Sequence, residues 1–195
     1  MLQALLAGMC SYMIGSIPFS YIVAWKVKKV DLRVVGEGNV GGRNVFHVVG
    51  KGYGALAGFL DFLKGVGAYG LGLLFGLSLP WLWVCGFCAV LGHQFPVFLR
   101  GRGGKGAAAA LGFLFALEPL MILLAGGLML AGFGISRNFH VAISVGMASI
   151  PIQWRFLFHR SWEDAGILLL FLLFLGLKRL IDEPYMKKIK ASSGW

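Results

Sequence analysis

The sequence predicts an all-α polytopic membrane protein of about seven transmembrane helices, with its N-terminus outside, its C-terminus cytoplasmic and glycine-rich cytoplasmic loops forming the functional site. Three observations carry this prediction. Of 195 residues, 58% are hydrophobic and only 13% charged, with a mean hydropathy of +0.79, a composition no ordinary soluble domain has. The apolar residues gather in runs close to the length that crosses a bilayer. Lys and Arg gather in the gaps that would share one side of the membrane.

Taken in order, the runs are 2–25, 54–77, 80–99, 106–117, 119–135, 141–158 and 165–181. The first has no basic start and no small-residue cleavage site before a soluble domain, so it reads as a retained span. The fourth holds twelve residues and crosses only as a small-residue helix packed inside the bundle. Small residues recur at Gly65, Gly67, Ala107 to Ala110, Gly126 and Gly127, where they let helices approach closely in lipid. No repeat, linker or soluble domain interrupts 1–195, which reads as a single integral membrane domain. Ala191-Ser-Ser-Gly-Trp195 reads, from composition alone, as an added tail.

With the N-terminus outside, fifteen Lys and Arg face the cytoplasm, while Arg155 and Arg160 face out and Lys64 lies within a span. Glu118, Glu163 and Asp164 also fall outside, which the rule permits. The net charge of +10 therefore indicates anionic lipid headgroups rather than nucleic acid. Cys10, Cys85 and Cys88 all lie in apolar runs, where they serve as small packing residues.

The long polar stretch from Lys26 to Gly54 is the candidate functional centre. Gly36, Gly38, Gly41 and Gly42 surround Asn39, Arg43 and Asn44, so the backbone can turn its N–H groups toward one anion. A second glycine-rich turn, Arg100 to Gly106, repeats that chemistry. Gly36 to Gly41 matches G-x-G-x-x-G without the strand and crossover a dinucleotide site needs. Lys105 is followed by Gly106 rather than the hydroxyl residue of a nucleotide-hydrolysing loop. The plainer reading of both is flexible connection.

Lys64 lies three residues after Asp61, on one helix face in a span. Intramembrane charges of this kind pair and usually line a polar cavity. His93 ends the third span, and Arg137, Asn138 and His140 start the sixth. No Ser-His-Asp, His-x4-Asp or metal-ligand spacing accompanies them, so neither metal nor cofactor is expected. Two functions stay open on these residues: transfer between two phosphorylated substrates by positioning and charge, or anion transport.

Several segments resemble a known family: Gly15-Ser-Ile-Pro-Phe-Ser20, Asp31-Leu-Arg33 with Gly36, Gly38, Asn39, Gly41 and Asn44, Asp61-Phe-Leu-Lys-Gly65, Gly92-His93 with Phe95-Pro-Val-Phe98, and Gly103-Gly-Lys-Gly106. They look like the PlsY-type bacterial acylphosphate:glycerol-3-phosphate acyltransferases. That resemblance implies a seven-span inner-membrane enzyme of phospholipid biosynthesis, cytoplasmic at its active site. It would move a fatty acyl group from acyl phosphate to glycerol 3-phosphate, giving lysophosphatidic acid and phosphate, as a monomer among membrane lipids.

By the same resemblance Lys105, Asn39 and His93 would be catalytic, His93 also bracing the second loop. Gly38, Gly41, Arg43, Asn44, His47, Lys64, Gly103, Gly104 and His140 would contact substrate, and Asp31, Arg33 and Asp61 would anchor the loops. The chain departs from the family pattern in having Glu37 for Ser, Arg43 for Thr, His47 for Arg and Ala107 to Ala110 for Val-Ala-Thr. His140 stands near a family Ser, and Leu177-Lys-Arg-Leu180 stands where the family has Arg-His-Arg…Asn. Arg43 could hold Glu37 in an ion pair. An altered acceptor, or a transport or non-catalytic paralogue binding phosphorylated lipid precursors, are the alternatives.

The basic asymmetry predicts that cysteines placed at Val40 and Arg102 react with an impermeant thiol reagent only after the inner membrane is opened. Labelling in intact spheroplasts would overturn the orientation.

Overall fold

The computed structural model describes residues 1–193, with the side chains of Phe139, His140 and Ser193 outside the described set. Every regular element among them is helical: α1 Leu2–Ser16, α2 Phe19–Lys28, α3 Gly42–Val48, α4 Lys51–Leu74, α5 Leu79–Gln94, α6 Ala107–Leu117, α7 Pro119–Ser136, α8 Phe139–Ile152 and α9 Trp162–Ser193. A 3-10 turn, Val97–Leu99, follows α5, and a π-helical turn, Gln153–Leu157, follows α8. Four stretches are long and apolar enough to cross a membrane: Leu2–Lys28, Lys51–Leu74, Leu79–Leu99 and Pro119–Ser136. Ala107–Leu117 and Val141–Leu157 are shorter apolar helices.

Several boundaries differ from the expected runs, each for a local reason. The first run breaks at Ile17 and Pro18, because proline cannot supply the N–H that would carry α1 into α2. The polar stretch is not all loop. Its second half folds as α3, whose Val45 is fully buried, and Lys51 already opens α4. Pro96 turns the end of the third run out of α-helix. The last helix runs on past Ile181 to Ser193, through Pro184.

By contacts the chain forms two compact units. One comprises Met1–Ala116 with the chain from Leu175, the other Leu117–Phe174. In the first, α1 lies directly on α5: a side chain at Gly15 would strike the Ala89 backbone, and one at Gly92 would strike Tyr12 and Ser16. Likewise Gly65 of α4 faces the backbone of Ala109 and Phe113 in α6, the close approach expected there, whereas a side chain at Gly67, Gly126 or Gly127 would meet nothing, so those glycines serve no close helix contact among the described residues. A core of Ala24, Leu32, Val40, Val45, Val49, Ala57 and Leu99 lies under the first loop and seats it on α2, α3 and α4.

In the second unit, α7 opens with Glu118 and Pro119, and α9 is capped by the Ser161 hydroxyl, which accepts from the Asp164 N–H at 3.0 Å. Arg160 reaches Glu118 at 3.7 Å and stacks over Trp154, and Arg155 stacks over Trp162.

Candidate active site

The first loop is organised by its own side chains. Asp31 accepts from the Arg33 backbone N–H at 2.9 Å and from its guanidinium at 2.6 to 3.1 Å. Those charge-assisted bonds hold the Asp31 carboxyl below its ordinary value, against the opposing effect of burial. Gly36 and Gly38 adopt φ of +59° and +64°, where a side chain would be strained. Asn44, fully buried, ties the turns together. Its Nδ2 donates to the carbonyls of Leu32, Val35 and Asn39 at 3.0 to 3.1 Å, and its Oδ1 accepts from the Glu37 N–H at 2.9 Å. Glu37 is itself buried, and its carboxylate meets Arg43 Nε at 2.9 Å, so the pairing expected from the sequence is formed.

Beneath this loop sits a buried charge cluster. The Lys64 ammonium lies 2.9 Å from Asp61 Oδ1, donates to the Gly15 carbonyl at 3.1 Å and lies 3.4 Å from His93 Nδ1. Ser20 donates to the other Asp61 oxygen at 2.7 Å, and His93 Nδ1 is 3.6 Å from Asp61 Oδ1. All three charged or titratable side chains are at most 7% exposed, which is tolerable only because each faces a partner. A small cavity opens above them, with Ser20, Val40, Lys64, His93 and Gly103 in its wall.

The second loop hangs from the end of α5. Gly103 and Gly104 N–H groups donate to the carbonyls of Gln94 and His93 at 3.2 and 3.1 Å, and Gln94 Nε2 donates to the Lys105 carbonyl at 3.1 Å. Gly104 has no room for a side chain, since one would strike His93 Nε2 and the Val40 carbonyl. The two glycine-rich loops therefore touch. Lys105 is partly buried between them; among the described residues no carboxylate forms an ion pair with its ammonium. Burial, with Arg179, Arg43 and Lys190 nearby, holds its pKa below the ordinary lysine value, and Glu37 partly offsets them.

The far end of α9 covers the loops. Tyr185 donates its hydroxyl to the Arg33 carbonyl at 2.8 Å, the Arg102 guanidinium lies 5.8 Å over the Tyr185 ring, and Ile189 packs where Gly38 has no side chain. Lys178 pairs with Asp182 and lies over Phe95.

Of the residues singled out in the sequence, the structure gathers Gly38, Asn39, Gly41, Arg43, Asp61, Lys64, His93, Gly103, Gly104 and Lys105 around the apposed loops. Asp31 and Arg33 bond to each other within the first loop. Asn44 is engaged at both ends of its amide by loop backbone, so its geometry is that of an organiser rather than a phosphate ligand. His47 stands exposed on α3 with its ring against Phe46, and the His140 side chain lies outside the described residues. Sequence reasoning assigned no role to Ser20, Gln94 or Tyr185. Ser20 belonged to a quoted motif, but Tyr185 meets Arg33 from 152 positions away and left no local signal.

A profile of the glycerol-3-phosphate acyltransferase family matches residues 5–182. The chain belongs to this family. Glycerol-3-phosphate acyltransferase 1 of Deinococcus radiodurans is 38% identical over 169 residues, covering 87% of this chain and 85% of that protein. The Aquifex aeolicus glycerol-3-phosphate acyltransferase is 47% identical over 123 residues, 63% of this chain and 64% of its own. Two crystal structures of PlsY (YgiH), an integral membrane glycerol 3-phosphate acyltransferase, are similar in fold. The glycerol 3-phosphate form superposes with a TM-score of 0.79 at 33% identity, and the lysophosphatidic acid form with 0.77 at 30%; each covers 97% of this chain and 93% of the other. Family membership and an all-helical membrane fold are thus both established for this acyltransferase chain.

The bonding of Asn44 predicts that Asn44→Ala unfolds at lower temperature, losing at least about 2 kcal/mol because buried loop groups are left unpaired. Thermal unfolding in detergent, measured beside turnover, checks this. Full stability with substrate binding lost would instead make Asn44 a direct ligand.

Proposed function

We propose that this acyltransferase moves a fatty acyl group from acyl phosphate to glycerol 3-phosphate, forming lysophosphatidic acid and inorganic phosphate, with its site on the cytoplasmic side of a bacterial inner membrane crossed about seven times. The observation that carries this reading is the apposition of two glycine-rich loops, the second continuing into the partly buried Lys105, in a chain of the glycerol-3-phosphate acyltransferase family. The PlsY structures in their glycerol 3-phosphate and lysophosphatidic acid forms support the acceptor and product.

The chemistry needs little from the protein beyond positioning and charge. The acceptor hydroxyl oxygen attacks the acyl carbonyl carbon, a new ester bond forms, and the bond from that carbon to the phosphate oxygen breaks. Phosphate leaves with the electron pair and takes the hydroxyl proton, so no side chain has to act as base. Lys105 stabilises the charge gathering on the departing phosphate, and backbone N–H groups of the loops hold its oxygens. Asn39 Oδ1 is buried without a hydrogen-bond partner, which suits it to accept from the acceptor hydroxyl and aim it. His93 faces the Lys64 ammonium with Nδ1 and lies against Gly104 with Nε2, which joins the buried cluster to the second loop. The exposed Arg43 guanidinium offers charge to the acceptor's own phosphate, with His47 on the same short helix as a further polar contact.

Lys105→Ala should lower the rate of phosphate release from acyl phosphate by about two to three orders of magnitude, the usual loss when one transition-state contact is removed. The assay, run in lipid with glycerol 3-phosphate and other polyols and amines as acceptors, also tests the acceptor. Activity within a few-fold of the unmodified protein would reduce the second loop to a linker, and preference for another acceptor would overturn glycerol 3-phosphate.

A further inference from the structure

The last turns of α9 lie on the site, yet the mechanism above gives them nothing to do. Tyr185 and Ile189 stand one helical turn apart, so they share a face of that helix. Ile189 fills the space over Gly38, where an added side chain would come within 3.0 to 3.2 Å of it. Further back, Lys178 pairs with Asp182 and lies 4.9 Å over the Phe95 ring, at the turn from which the second loop hangs.

Between those two anchors in sequence, Tyr185 uses the two parts of its side chain on different loops. Its hydroxyl donates to the Arg33 carbonyl of the first loop at 2.8 Å, and its ring carries the Arg102 guanidinium of the second at 5.8 Å. Arg33 is itself fixed, because Asp31 accepts from both its N–H and its guanidinium. Arg102 directly precedes Gly103 and Gly104, whose N–H groups donate to the end of α5. The chain reaches it through Arg100 and Gly101 in left-handed conformation, at φ of +54° and +76°, which is unfavourable for arginine.

We propose that Tyr185 is a clasp holding the two glycine-rich loops in register: a positioning residue that sets the spacing of their phosphate-binding glycines without itself touching acyl phosphate. This role rests on the reading of the loops as the phosphate site. Loops that hold phosphate equally in the bound donor and in the transition state contribute uniform binding, so loosening them raises KM more than it lowers kcat.

Hydrogen exchange of the protein in lipid nanodiscs, followed by mass spectrometry, reads each loop without any turnover. In the first loop the Val34 N–H, in the same peptide unit as the Arg33 carbonyl, donates to the Asp31 carbonyl, and the Gly38 N–H to that of Val35. Tyr185→Phe, which keeps the ring and loses the hydroxyl, should speed exchange there about three- to tenfold and leave Gly103 and Gly104 unchanged. Arg102→Gln should do the converse, speeding Gly103 and Gly104 about two- to fivefold. Tyr185→Ala should loosen both loops and raise the KM for acyl phosphate about five- to tenfold, with kcat within about threefold.

Faster exchange confined to 182–193 would overturn the clasp and leave Tyr185 as a residue that only seats α9. Unchanged exchange in both loops would overturn it as well. If Tyr185→Ala does not fold, the two milder variants decide, since each must loosen its own loop alone. Failure of the clasp is distinct from failure of the site. Loosened loops with an unmoved KM condemn the clasp when Lys105→Ala has lost turnover, and condemn the loops as the phosphate site when Lys105→Ala keeps it.

Discussion

Asp61 is the constraint on which the rest of the site depends. A carboxylate buried in a helix bundle costs several kcal/mol unless charged and hydrogen-bonding groups surround it. Its partners come from separate segments: Lys64 from its own helix, His93 from α5 and Ser20 from α2, while Lys64 reaches the Gly15 carbonyl of α1. The observed arrangement of α1, α2, α4 and α5 satisfies them together. The bare glycines Gly15 and Gly92 let α1 and α5 approach closely enough to complete it.

From that cluster the loops follow. His93 faces Lys64 with one ring nitrogen and lies against Gly104 with the other, while its carbonyl accepts the Gly104 N–H. The second loop is thereby fixed relative to the buried charges, and Val40 brings the first loop onto it. Each loop also has its own brace, Asn44 for the first and Gln94 for the second. Lys105 follows Gly103 and Gly104, partly buried, with its carbonyl held by Gln94.

Much of this was legible in the sequence because it is local. Asp61 and Lys64 stand one helical turn apart, Asp31 and Arg33 are near neighbours, and the glycine spacing marked both loops. The pairing of Glu37 with Arg43 was one of two readings of their joint departure from the family pattern, and the structure forms it. What stayed hidden depends on side-chain direction or distant contacts. Asn44 reads as one more polar residue in an anion-binding loop, and only its geometry shows both ends of the amide facing backbone. The polar stretch concealed α3, whose Val45 supplies burial where glycines suggested only turn. The end of α9, charged and apparently a tail, lies over the first loop through Tyr185 and Ile189, contacts with no periodicity to announce them.

Neutralising the buried cluster tests the central claim most directly. Asp61→Asn and Lys64→Met, made singly and together, should separate support from chemistry when thermal unfolding and acyl transfer are measured on each. Either single change leaves a buried charge without its partner and should cost about 3 kcal/mol or more, with activity lost. The double variant should regain most of the stability, since an uncharged pair removes the desolvation penalty, yet remain inactive because the His93 ring and the second loop are no longer held. An Asp61→Asn protein with unchanged unfolding temperature and turnover would contradict the account.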